Sequence, residues 1–176
     1  MDYSSERILA AQREARISHF RGWVLFAVPL AALLYQYYLP LFFPQLAYLE
    51  MTLLVTIYFA MMRRSQVNGI LVGMVMGIAQ DALAGTKIGM FGIAKTLVGY
   101  FAASIGLKID VGQPFVRLIS VLIFYLFHQF LVWLLQRALM GQQVGFEWRH
   151  NLIVGGLNAV VGLALFHFLD RLKEAD

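Results

Sequence analysis

The chain contains no cysteine, so disulfides, thiol nucleophiles and thiolate metal sites are excluded, and the redox compartment is left open. Charge is scarce as well. Asp, Glu, Lys and Arg make up 14% of the residues, against roughly 25% in an average soluble domain. Enzyme motifs are missing: there is no Walker loop, no H-E-x-x-H, no serine in a G-x-S-x-G turn and no pair of carboxylates inside one apolar run. The four histidines, His19, His128, His150 and His167, have no metal-ligand spacing. Neither catalysis nor a cofactor is expected. No long linker, soluble domain or low-complexity tract interrupts the sequence.

What is present is apolar. Hydrophobic residues fill 60% of 176 positions, and the mean hydropathy is +0.70. Crossing a bilayer of about 30 Å takes about 20 such residues, and six segments reach or approach that length. They run from Trp23 to Phe43, Leu46 to Met62, Gly69 to Ala84, Gly89 to Leu107, Phe115 to Leu135 and Leu152 to Leu169. Glu50 falls near the start of the second. Pro40, Pro44 and Pro114 mark boundaries, while Pro29 lies inside the first span, where membrane helices tolerate a kink. Trp23, Tyr37, Tyr38, Tyr48, Trp133 and Trp148 sit near span ends, where amphipathic rings prefer the interface. The expected fold is an all-α polytopic membrane protein, with six transmembrane helices forming one domain over residues 23–170. Short loops make consecutive helices antiparallel neighbours.

Basic residues give the orientation. Arg7, Arg13, Arg16, Arg21, Arg63, Arg64, Lys108, Arg117, Arg171 and Lys173 fall on one side; Lys87, Lys95, Arg137 and Arg149 fall on the other. The positive-inside rule then places both termini in the cytoplasm. The same flanks account for the net charge of +4 without invoking nucleic acid. Residues 1–22 read as a polar cytoplasmic tail, helical from a cap at Ser4 or Ser5, and residues 171–176 as a second short tail. The first apolar run is too long for a signal peptide and ends in no small-residue cleavage site. The N-terminal tail would orient the chain and attract anionic lipid, or else contact a cytoplasmic protein.

One pattern stands out against this background. Gly69, Gly73, Gly77, Asp81, Gly85 and Gly89 recur at every fourth position. Small residues at that spacing let helices meet backbone to backbone, and a carboxylate at membrane depth is costly and marks a candidate site. A turn centred near Thr86–Ile88 puts Asp81 and Lys95 at similar depth on two antiparallel helices. An intramembrane Asp81–Lys95 ion pair is therefore expected, the alternative being that each side chain snorkels separately to the interface. A second stripe, Asn151, Gly155, Asn158 and Gly162, occupies one face of the last span. Both stripes suit either packing within the bundle or docking of a partner helix. His128 and Gln129, midway along the fifth span, read as internal hydrogen-bonding groups.

The stretch from Val67 to Gly89, with its glycine ladder, its acid at Asp81 and the small-residue turn ending in Gly89, resembles the signature of the rod shape-determining protein family MreD. Leu97 to Phe101, the Arg63–Arg64 pair and Asn158 are similar to that family as well. Lys95 is not part of the family pattern. The resemblance implies a non-enzymatic scaffold in the bacterial inner membrane that binds the single-span protein MreC. The wider complex it implies holds the actin-like MreB, the RodA glycosyltransferase and a class B penicillin-binding protein, and positions peptidoglycan synthesis to maintain cell shape. It also implies a fold like the substrate-binding subunits of energy-coupling-factor transporters. Fold likeness does not carry function, yet it keeps a small-solute, vitamin-type transport subunit as the alternative. Asp81, Asn158 or His128 would then line a polar pocket.

Overall fold

The computed structural model describes residues 22–85, 89–141 and 145–173. The expected helix in the N-terminal tail, the centre of the Thr86–Ile88 turn and the last three residues lie outside the described residues. Every regular element among those described is helical. In chain order they are α1 (Val24–Phe42), a 3-10 turn (Pro44–Tyr48), α2 (Met51–Arg63), α3 (Gln66–Ala84), α4 (Met90–Gly106), α5 (Pro114–Met140) and α6 (Trp148–Asp170). Five segments are long and apolar enough to cross a membrane, the 3-10 turn and α2 counting together as Pro44–Arg63. The remaining helix, α4, is apolar but has only 17 residues. Over its described residues the chain is all-helical, with the build of a multi-pass membrane protein.

Several boundaries differ from the sequence reading, each for a local reason. The second span is not one continuous helix. Pro44 starts a separate 3-10 turn, which ends at Tyr48, and Glu50 becomes the residue just before α2. Pro40 does not end α1 but sits within its last turn. The fifth span extends to Met140, where Gly141 takes the left-handed conformation (φ 63°) that closes the helix. Pro114 opens the same helix at a position where its missing N–H costs nothing. Between α2 and α3 the chain reverses in two residues. Arg64 is left-handed (φ 50°), and the Ser65 hydroxyl accepts a hydrogen bond from the Asn68 amide to cap α3.

The bundle is built around α2. It packs against α1, α3, α4, α5 and α6, and every residue from Thr52 to Met62 is buried. Apolar side chains all round suit a helix with neighbours all round. The other helices keep one face inside and turn Phe, Leu, Ile and Val outward, as at Phe26, Val75, Ile123 and Ile153. Outermost is α1, which buries little beyond Val24 and Ala32 and leans on α2, with a smaller contact to α3. The most extensive helix contact is α3 against α4, two neighbours folded into an antiparallel hairpin. The turn joining them defines one end of the bundle, the hairpin end. At the opposite, basic end, Asp170 binds Arg117 and Lys173 and accepts a hydrogen bond from the Tyr58 hydroxyl (2.9 Å), tying α2, α5 and α6 together.

Candidate functional site

The α3–α4 hairpin carries the ladder, and its six members turn out to have three different jobs. Gly69, Gly73 and Gly77 form a seam against α4. A Cβ placed on them would overlap, respectively, the carbonyl oxygens of Gly99, Lys95 and Phe91. Gly99 repeats the fit from the other side, meeting the Gly69 carbonyl. No side chain larger than hydrogen fits at these positions while the helices keep this distance. This face is occupied inside the bundle, so it is a packing surface and not one open to a partner. Gly85 and Gly89 are not on the seam. Both have positive φ (61° and 108°), one ending α3 and the other starting α4.

Asp81 stands between the two groups. It is fully buried, and its carboxylate accepts hydrogen bonds from the amides of Gly89 (2.9 Å), Phe91 (3.1 Å) and Gly92 (3.1 Å). Those amides belong to the first turn of α4, whose N–H groups have no partner within the helix. Glycine at position 89 brings no capping side chain, and Asp81 supplies the acceptor from the neighbouring helix. A negative charge there also opposes the helix dipole favourably.

The expected Asp81–Lys95 ion pair is replaced by another arrangement. Lys95 is completely buried, but its ammonium pairs with Glu50 (3.7 Å) and donates to the side-chain oxygen of Gln80. The same Gln80 oxygen accepts from the Thr52 hydroxyl (2.7 Å). Three backbone amides already hold the Asp81 carboxylate. The break at Pro44–Tyr48 carries Glu50 inward to serve Lys95 instead. Lys95 also lies over the Phe91 ring, 5.1 Å from its centre, a favourable place for a cation. The result is a buried polar group of Glu50, Thr52, Gln80 and Lys95 joining α2, α3 and α4. Thr52 and Gln80 escaped the sequence reading because an isolated Thr or Gln in an apolar span carries no periodic signal. Glu50 was visible only as a charge near a span end.

The second stripe is also consumed internally. Asn158 is buried; its side-chain oxygen accepts from the Glu50 amide (2.9 Å), and its nitrogen donates to the carbonyls of Tyr48 (2.8 Å) and Val154 (2.9 Å). It stitches α6 to the break before α2, and so holds the backbone of the residue that pairs with Lys95. Gly155 faces Leu122 and Tyr125, with 3.0 Å left for a Cβ, while Gly162 faces Leu54 and Val121 at 3.2 Å. Asn151, at the first turn of α6, is only half-buried. His128 is buried against Phe91, with rings nearly parallel and 6.0 Å apart, and neither of its ring nitrogens has a hydrogen-bond partner.

Chemically, the arrangement neutralises its own charges and caps its own helix. Among the described residues, no three of His, Asp and Glu come together as metal ligands would. Asp81, Asn158 and His128 have no exposed surface. No family model matches the chain, and no curated protein or solved structure does so either.

Proposed function

We propose that the chain is a non-enzymatic scaffold of the bacterial elongation machinery, of the MreD kind, and that it docks MreC in the cytoplasmic membrane. Its place is beside MreB, RodA and a class B penicillin-binding protein, where it helps position peptidoglycan synthesis. The observation that carries this reading is the α3–α4 hairpin. The residues that resemble the family signature are those that close it: three seam glycines, an acid that caps the next helix, and two turn glycines. A motif used for rigid packing suits a scaffold better than a reaction site.

In this reading both termini face the cytoplasm, so the basic end is cytoplasmic and the hairpin end extracytoplasmic. The inward seams leave the outward faces of the same helices for partners. On α3 these are Val67, Leu71, Val75 and Ile78; on α6 they are Ile153, Leu157 and Val160, all exposed. A likeness to the substrate-binding subunits of energy-coupling-factor transporters belongs to the same proposal at the level of fold. The alternative of vitamin-type transport loses its anticipated lining, because Asp81, Asn158 and His128 are committed to the interior.

The experiment is photo-crosslinking in native bacterial membranes from probes at Leu71, Val75 and Val160, followed by mass spectrometry of the adducts. Recovery of MreC or the elongation synthases from one of these faces is the expected outcome. Recovery of an ATPase pair of the vitamin-importer type would replace this reading with the transport one. Gly73 and Gly155 are unsuitable probe positions, because their contacts inside the bundle leave no room for an added side chain.

A further inference from the structure

Among the described residues, a cavity at Gln80 joins the buried polar group to the surface. It has a volume of about 230 Å³, lies between α1, α3 and α4 toward the hairpin end, and is walled by Leu33, Tyr37, Leu83 and Phe91. Two amides, Gln36 and Gln80, and the hydroxyl-bearing Tyr37 are the lining residues with polar side-chain atoms. An apolar cavity of 150 Å³ suffices for benzene, so this one has room for a ring and a small substituent.

The two amides present complementary atoms. An ammonium can only donate, so the atom that Gln80 turns to Lys95 is its oxygen, which fixes the orientation of that amide without ambiguity. The Thr52 hydroxyl takes the same oxygen. The Gln80 nitrogen is left on the cavity side with no protein acceptor among the described residues. Two donors on a carbonyl polarise the amide and make its N–H groups better donors in turn. Gln36 offers the opposite: its side-chain oxygen is buried and has no donor. Leaving a buried acceptor without a partner is unfavourable, and a ligand bearing an N–H or O–H group relieves it.

We propose that this cavity binds a neutral, ring-sized molecule whose carboxamide or equivalent hydroxyl group accepts from Gln80 and donates to Gln36. The apolar walls and the Phe91 ring receive the flat body of the ligand. An anion is disfavoured because it has nothing to give the Gln36 oxygen, and the Lys95 charge behind Gln80 is already paired with Glu50. The same head chemistry occurs on free solutes and on the glycerol head of a lipid. The site does not depend on the scaffold reading, and either can fail without the other.

The test uses the full-length protein in detergent micelles, with saturation-transfer NMR and benzamide as the probe. Benzoate and toluene serve as the charged and apolar controls. Benzamide is expected to saturate, Gln36→Leu to weaken it at least tenfold, and neither control to compete at equal concentration. Gln36 is the reporter of choice because it is outside the Lys95 network, whereas Gln80→Leu would strip Lys95 of an acceptor and endanger the fold. A second variant, Leu83→Trp, fills the cavity from its wall and should abolish binding while the melting temperature is retained. Displacement of benzamide by monooleoylglycerol would assign the site to a lipid head, and failure to displace it would assign the site to a free solute. Absence of saturable binding to folded wild-type protein would overturn the proposal. So would equal competition by toluene, or an unchanged affinity in Gln36→Leu, since the cavity would then read shape alone.

Discussion

Gly73→Ala adds a single methyl group at the centre of the α3–α4 seam, and its cost can be worked from the geometry. The new Cβ would stand 2.7 Å from the Lys95 carbonyl carbon and 3.0 Å from the Thr96 Cα, where ordinary contact begins at 3.4 Å. The Lys95 carbonyl oxygen is closer still. The obstacle is backbone on a helix, so no side chain can rotate away, and α4 must retreat by about 0.7 Å to clear even the carbon. A gap of 0.5–1 Å forfeits about a quarter to a half of each dispersion contact. Overpacking of this kind typically costs about 1–3 kcal/mol. The retreat also stretches the Asp81 contacts to the amides of α4, which begin at 2.9–3.1 Å. Hydrogen bonds to a charged acceptor are worth about 1.5–3 kcal/mol each. Against this, Ala is favoured over Gly in a helix by about 1 kcal/mol. The net expectation is a loss of about 2–4 kcal/mol, and a larger loss for Gly73→Leu.

Gly156→Ala is the internal control. It lies in α6, where a Cβ meets nothing within 4 Å, so propensity alone should leave it neutral or slightly stabilised. Reversible unfolding in mixed micelles, with the two variants and wild type side by side, measures the difference. If Gly73→Ala is as stable as Gly156→Ala, the seam is not close-packed and the argument for an inward-facing ladder fails.

Asp81→Asn keeps one acceptor oxygen but turns a donor toward at least one α4 amide, whereas Asp81→Leu abandons all three amides. Asn should therefore be the milder by about 2 kcal/mol or more on the same unfolding assay, and equal, severe loss of function in both at normal protein level would point to a charge-specific role. Glu50→Leu leaves Lys95 buried without its countercharge and should cost about 3–5 kcal/mol; adding Lys95→Met should restore most of it, and a double-mutant cycle with no coupling would separate the two residues. Asn158→Leu frees the Glu50 amide and the Tyr48 carbonyl together and should destabilise by about 2–4 kcal/mol, with amide exchange rising first at residues 48–50. In a chain without cysteine, Gly112→Cys and Gly145→Cys are clean reporters of sidedness; an impermeant maleimide applied outside intact cells should label position 145 and spare position 112, and the reverse pattern would invert the orientation.

Much of the architecture was legible because apolar runs of membrane length are a coarse signal that survives without tertiary information. Glycine periodicity was legible too, since a seam between two helices needs small residues at every turn along one of them. What a single sequence does not carry is the identity of the partner across that seam. Gly69, Gly73 and Gly77 would look the same facing α4 or facing another protein, and only the arrangement of carbonyls on α4 separates the cases. The polar contacts were harder for a different reason. Asp81 and Lys95 were placed at one depth by counting residues from the turn, but depth does not say which acceptors are already present at that level. Three backbone amides outcompete a lysine for Asp81 because they begin a helix and have nowhere else to turn.

The fate of Lys95 then follows from a feature that reads as mere punctuation. Pro44 stops α1 from running on, and the short 3-10 turn after it ends at Tyr48, two residues before Glu50. Asn158 fixes that break from α6 by holding the Tyr48 carbonyl and the Glu50 amide at once. A straight second span would have carried Glu50 as an ordinary helical residue near the interface. The break instead keeps it beside α4, where it meets Lys95. The stripe on α6 and the charge on α4 are therefore parts of one device, although 63 residues separate Asn158 from Lys95. Loss of Asn158 should thus weaken the Glu50–Lys95 pair without touching either side chain. In the Asn158→Leu background, Glu50→Leu should cost at least about 1 kcal/mol less than it does in the wild type, the coupling expected of neighbouring groups. Additive costs would show that the break is held by Pro44 and its packing alone, and that Asn158 serves only its own hydrogen bonds.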